Sequence, residues 1–134
     1  MNLEPNDPSV ETEAVEQQVK KFRKELSSGT VALMLLSILA KAKTPLYGYQ
    51  ITKLFEQSSS DKQGALYPVL RNLSTKGLLE SEVVPSENGP PRKYFTISTL
   101  GRAVLKEWLE IWHQTHAFVN QTIADNSKGE DNGK

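Results

Sequence analysis

Apolar residues at Val15, Val19, Phe22 and Leu26 recur at helical spacing, with charged residues on the other faces. The stretch predicts an amphipathic helix that needs a partner surface. Ser27, Ser28 and Gly29 follow and predict a break or a cap. Residues 30–40 are almost wholly apolar, from Val31 to Leu39, which predicts a helix buried in the middle of the domain. It is too short to cross a membrane. Thr44-Pro45 punctuates the chain, because the residue before a proline is pushed out of helical geometry. A second helix is expected next, with Tyr47, Ile51, Leu54 and Phe55 as its inner stripe. Ser58, Ser59 and Ser60 read as a loop, and Asp61 as the N-cap of a third helix. There Leu66, Leu70 and Leu73 share one face, while Lys62, Gln63, Ala65, Arg71 and Asn72 lie mostly elsewhere. Pro68 falls near the first turns, where it is least harmful. Gly77 suits the left-handed position that ends a helix.

After Gly77 the period changes. Leu79, Ser81 and Val83 alternate with Glu80, Glu82 and Val84 as an outer strand does. Pro85 to Pro91 form a turn region, and Arg92 to Ile97 a return strand. Ser98 caps a long last helix reaching at least Ile123. That helix carries two apolar seams, one with Leu105, Trp108, Trp112 and Val119, the other with Val104, Ile111 and Phe118. Together they exceed what one small core covers, so the chain is expected to form a homodimer. The predicted fold class is mainly α with a small β-hairpin: a winged helix-turn-helix over 11–97, including an N-terminal helix extension, then a dimerisation helix over 98–124. Residues 1–10 and 125–134 are expected to be disordered tails.

Composition narrows the chemistry. The chain has 134 residues, which fits one domain, and no cysteine, which removes disulfides, thiolate nucleophiles and Cys-based zinc sites. Neither a signal segment nor a membrane-length apolar run is evident, so a cytoplasmic location is expected. His113 and His116 stand three apart without a third ligand nearby, so no metal and no cofactor is expected. No nucleophile–base pair or Gly-rich phosphate loop is present, and the chain does not read as an enzyme. Sixteen basic and sixteen acidic residues cancel. From Lys41 to Lys93, however, eight basic residues face five acidic ones, which permits a mildly basic face.

The candidate DNA-binding residues follow from the expected fold. A recognition helix buries one apolar stripe and turns long polar or small side chains to the major groove. Lys62, Gln63, Ala65, Tyr67, Arg71 and Asn72 are placed there, and Arg92 and Lys93 on the wing beside a phosphate backbone. A plain solvated helix face and an ordinary hairpin are the competing readings. Tyr47 and Tyr49 read as packing or helix-junction residues, whereas the Tyr67 ring could pack while its hydroxyl reaches a phosphate.

Several spaced motifs resemble the PadR family of bacterial transcription regulators. Tyr47-Gly48-Tyr49-Gln50-Ile51 is similar to the family's opening of helix two. Gly64-Ala65-Leu66-Tyr67-Pro68 is similar to its recognition-helix start, and Gly77-Leu78-Leu79 continues the match. Arg92-Lys93-Tyr94-Phe95-Thr96-Ile97-Ser98, with Gly101, resembles its wing strand and last-helix start. The chain departs from the pattern with Ala65 in place of the common Thr, two prolines in the wing turn and a longer N-terminal helix. The single C-terminal helix resembles the shorter subclass. The resemblance implies a dimeric repressor on double-stranded DNA with an inverted-repeat operator, released by a small aromatic or lipophilic inducer. Trp112 falls where some drug-binding members place a pocket aromatic, so Trp108 and Trp112 are candidate ligand residues. Simple dimer packing is the other reading for this pair. A winged helix used only for protein–protein contact is the alternative function.

Overall fold

The computed structural model describes residues 8–56 and 63–132, with side chains for 8–56 and 66–124. Among the described residues four helices and three short strands succeed one another: α1 (Pro8–Lys41), β1 (Leu46–Tyr47), α2 (Gly48–Glu56), α3 (Gln63–Thr75), β2 (Leu79–Val84), β3 (Arg92–Ile97) and α4 (Thr99–Asn132). The fold is mainly helical with a small antiparallel sheet, in the winged-helix order that the periodicities predict.

α1 is one continuous helix, without the expected break at Ser27-Ser28-Gly29. The hydroxyls there do not cap. Ser27 Oγ donates to the Arg23 carbonyl and Thr30 Oγ1 to the Leu26 carbonyl, each one turn back along the same helix. α1 also begins at Pro8, so residues 8–10 are helix and not tail, while 1–7 lie outside the described residues. α4 likewise runs to Asn132, through most of the polar stretch expected to be disordered. The Asp61 cap lies outside the described residues.

The core collects one stripe from each element. Val31, Leu35, Leu36 and Leu39 come from α1, Ile51 and Phe55 from α2, and Leu66, Leu70 and Leu73 from α3. Leu78, Leu79, Phe95 and Leu105 close it. α1 is fully buried on one side only, since Ala32, Leu33, Met34 and Ile38 are half-buried. Beyond Gly29 in one direction and Leu109 in the other, α1 and α4 leave the core and their apolar residues are exposed.

Two expectations for the second helix are corrected. Tyr47 is not on it: Leu46–Tyr47 is a strand, paired with Phe95 and Tyr94 of β3, so the sheet has three strands in the order β1-β3-β2. Leu54 is exposed, and Ile51 and Phe55 alone make the buried stripe.

The C-terminus of α3 is held by backbone geometry. Gly77 has φ +79°. Its N–H donates to the Ser74 carbonyl and the Leu78 N–H to the Leu73 carbonyl, the paired bonds that close a helix on a left-handed glycine. Ser98 then joins this turn to α4. Its Oγ donates to the Gly77 carbonyl at 2.6 Å and accepts from the Gly101 N–H at 2.9 Å. A Cβ on Gly101 would collide with the Leu78 carbonyl oxygen, so only glycine lets α4 come this close. No helix among the described residues is long and apolar enough to cross a membrane.

Candidate nucleic-acid interface

α3 sets the first part of the site. With Leu66, Leu70 and Leu73 turned to the core, the helical period leaves Tyr67, Arg71 and Asn72 outside, and all three are exposed. Tyr67 and Arg71 are one turn apart and share a side of the helix. The Tyr67 ring rests against the first residue of α2. A Cβ on Gly48 would lie 3.0 Å from its Cε1 and 3.2 Å from its hydroxyl, so glycine at 48 makes room for the ring. Tyr67 therefore combines packing with exposure. Gln63 and Ala65 belong to the first turn of α3 by backbone, and Lys62 lies outside the described residues.

The wing sets the second part. β2 and β3 pair from Leu79↔Ile97 to Val84↔Arg92, and residues 85–91 make the turn. Side chains alternate across a strand, so Arg92 and Lys93 leave opposite faces of β3. Lys93 shares the face of buried Phe95 and lies 5.8 Å from that ring's centroid. Arg92 shares the outer face with Tyr94, and its guanidinium sits 4.5 Å from the centroid of the Tyr47 ring. The two cations read as a pair in the sequence thus address different surroundings.

Sequence reasoning missed a cluster on α2. Tyr49 is exposed and stacks near Tyr47, with centroids 6.5 Å apart, and Lys53 Nζ lies 5.4 Å from the Tyr49 centroid. The available signal was the spacing of Tyr49 and Lys53, four apart on one helix. Reading Tyr47 and Tyr49 as packing or helix-junction residues leaves that signal without a function. Gln50 supports the start of α2 by accepting the Tyr47 N–H through Oε1 at 3.0 Å.

Trp108 and Trp112 come together elsewhere. They line a groove of about 430 Å³ between α1 and α4, with Leu26, Ala32, Leu33 and Ile111. Trp108 is half-buried and Trp112 more open, its ring 5.6 Å from that of His116. Glu25 stands in the lining as its one acidic residue. His116 Nε2 lies 3.1 Å from Asn120 Nδ2, and no group of three metal-ligating side chains occurs among the described residues.

A helix-turn-helix of α2 and α3 beside a β2–β3 wing, anchored on a long last helix, defines the winged-helix class of transcription regulators. The sequence model of the transcriptional regulator PadR-like family matches residues 35–107, more than half of the chain, and the chain belongs to that family. The family comprises regulators, not enzymes. The chain is similar to the crystal structure of a PadR family transcriptional regulator from Eggerthella lenta, with 32% identity and a TM-score of 0.70, covering 82% of this chain and 96% of that one. It is also similar to a PadR-like transcriptional regulator from Bacillus cereus, with 25% identity, a TM-score of 0.63 and coverage of 74% and 96%. An uncharacterized protein of Lysinibacillus sphaericus is 28% identical over 93 residues, 66% of this chain and 83% of that protein.

Proposed function

We propose that the protein is a homodimeric repressor that binds an inverted-repeat operator and is released from it by a small aromatic or lipophilic ligand. The observation that carries the DNA reading is the outward face of α3, with Tyr67, Arg71 and Asn72 exposed beside a cationic wing. Arg71 and Asn72 supply hydrogen bonds suited to base edges or phosphates, and Lys93 and Arg92 supply charge at the backbone. The exposed seams of α1 and α4 support a two-fold dimer, which would set two α3 helices against two half-sites. The groove at Trp108 and Trp112 supports a flat apolar ligand, and Glu25 beside it suits one that carries positive charge. Ligand and operator weaken each other's binding by the same factor when they favour different spacings of the two α3 helices. The reading places the protein in the cytoplasm.

Selection from a randomised duplex pool tests the core of this reading. It should enrich an inverted repeat bound by two chains. A pool that stays unenriched would favour a winged helix devoted to protein–protein contact. Trp112→Ala in a Trp108→Phe background should leave operator binding intact and abolish release by an aromatic cation. Normal release by that variant would move the ligand site away from the groove.

A further inference from the structure

Arg92, Tyr47, Tyr49 and Lys53 form a continuous line of alternating charge and aromatic surface that neither the base-reading face of α3 nor the groove accounts for. The guanidinium of Arg92 lies over the Tyr47 ring at 4.5 Å, Tyr47 and Tyr49 are nearly parallel at 19°, and Lys53 closes the far end over Tyr49 at 5.4 Å. Tyr94, the strand partner of Tyr47, meets its ring edge-on at 5.4 Å and 67°, which fixes the ring against β3. We propose that this line is a phosphate clamp for the duplex backbone, in which Arg92 and Lys53 hold separate phosphates and Tyr47 is a positioning residue for Arg92. The proposal rests on the DNA-binding reading above.

Four observations lead to it. First, a guanidinium held over a ring face at 4.5 Å by a cation–π contact spends no N–H on a hydrogen bond to that ring, and its fork of donors matches a phosphate. No ion pair engages Arg92 among the described residues. Second, the outer face of the sheet is polarised. Glu80 and Glu82 lie on β2 at one edge, while Tyr47 lies on β1 at the other, with Arg92 and Tyr94 on the strand between. An anion is therefore favoured at the β1 edge and disfavoured at the β2 edge. Third, the line adjoins the recognition helix. Gly48 sits between Tyr47 and Tyr49, and the Tyr67 ring of α3 packs against it. Fourth, cations at both ends of an aromatic run fit a polymer of evenly spaced phosphates better than a single small anion. Lys53 also approaches Glu56 at 4.0 Å, but with Lys53 exposed and Glu56 half-buried at the surface that pair is of little strength, and a phosphate competes with it.

The experiment is a salt titration of binding to duplexes selected by the parent chain from a randomised pool. Lys53→Ala and Arg92→Ala should each weaken binding several-fold and lower the slope of log affinity against log salt by about one per chain. Tyr47→Phe keeps the ring and should match the parent. Tyr47→Leu should weaken binding as much as Arg92→Ala does, and combining the two should add nothing. That non-additivity separates positioning from a general loss of fold. Lys53 is exposed, so its variant remains decisive should Tyr47→Leu unfold. A parent that selects and binds no duplex overturns the DNA reading and the clamp together. A parent that binds while Lys53→Ala keeps the full affinity and slope overturns the clamp alone, as would independent, additive losses from Tyr47→Leu and Arg92→Ala.

Discussion

The two halves of α1 each carry apolar residues at helical spacing, in opposite surroundings. Val31, Leu35, Leu36 and Leu39 are 0–3% exposed, while Val15, Val19, Phe22 and Leu26, on the same unbroken helix, are 48–64% exposed. The inner half meets α2, α3 and the sheet within its own chain. The outer half meets nothing of comparable extent, and neither does the outer half of α4, where Ile111, Phe118, Val119 and Ile123 are open. Helical periodicity therefore reports that a partner surface exists without saying which chain supplies it. Single-chain stability belongs to the inner half, and assembly, in the proposed dimer, to the outer one.

This contrast can be broken by substitution. The largest effect is expected at Leu36→Ala, where a fully buried side chain is truncated: urea unfolding should show a loss of about 2–5 kcal/mol. Phe22→Ala should leave unfolding of the dilute chain unchanged and weaken self-association by about 2 kcal/mol, read by sedimentation equilibrium. Unchanged self-association would take the outer half of α1 out of the dimer surface. Gly77→Ala should cost about 1–2 kcal/mol from the left-handed backbone alone, because the nearest atom to the new Cβ, on Leu100, lies at an ordinary 3.9 Å. The smallest effect has the opposite sign. Ser74 Oγ is buried with no hydrogen-bond partner, so Ser74→Ala should raise the unfolding free energy by up to about 1 kcal/mol. A lower melting temperature for that variant would mean that the hydroxyl has a partner in solution.

What was legible in the sequence was local. Gly77 and Ser98 announce their roles because a left-handed turn and an N-cap are settled within a few residues. The wing pairing follows from alternation on either side of a proline-rich turn. The errors lie where distant residues decide. Leu46–Tyr47 is a strand only because Tyr94 and Phe95 offer it an edge, and two residues carry no period of their own. With Tyr47 read on a helix its contact with Arg92 has no sequence signal, although the opposite facing of Arg92 and Lys93 is implicit in the strand itself. The break at Ser27–Gly29 failed for another reason. Serine and threonine hydroxyls serve a cap or the preceding turn equally well, and the strong helix formers on both sides decided for the turn.

The bridge at Ser98 has a mechanical meaning. One hydroxyl fastens the end of α3 to the beginning of α4, and Gly101 seats the second helix directly against the backbone of the first turn beyond α3. No slack segment separates them. α4 is 34 residues, roughly 50 Å at the usual rise, and Trp112 stands roughly 20 Å along it from Thr99. The arrangement is a long arm with its short end clamped to the element that, in the proposed reading, faces the groove of a duplex. In the proposed mechanism a tilt of α4 at the tryptophans passes to α3 through this joint, made by the Ser98 hydroxyl, the Ser98 N–H on the Leu78 carbonyl and the close seat of Gly101.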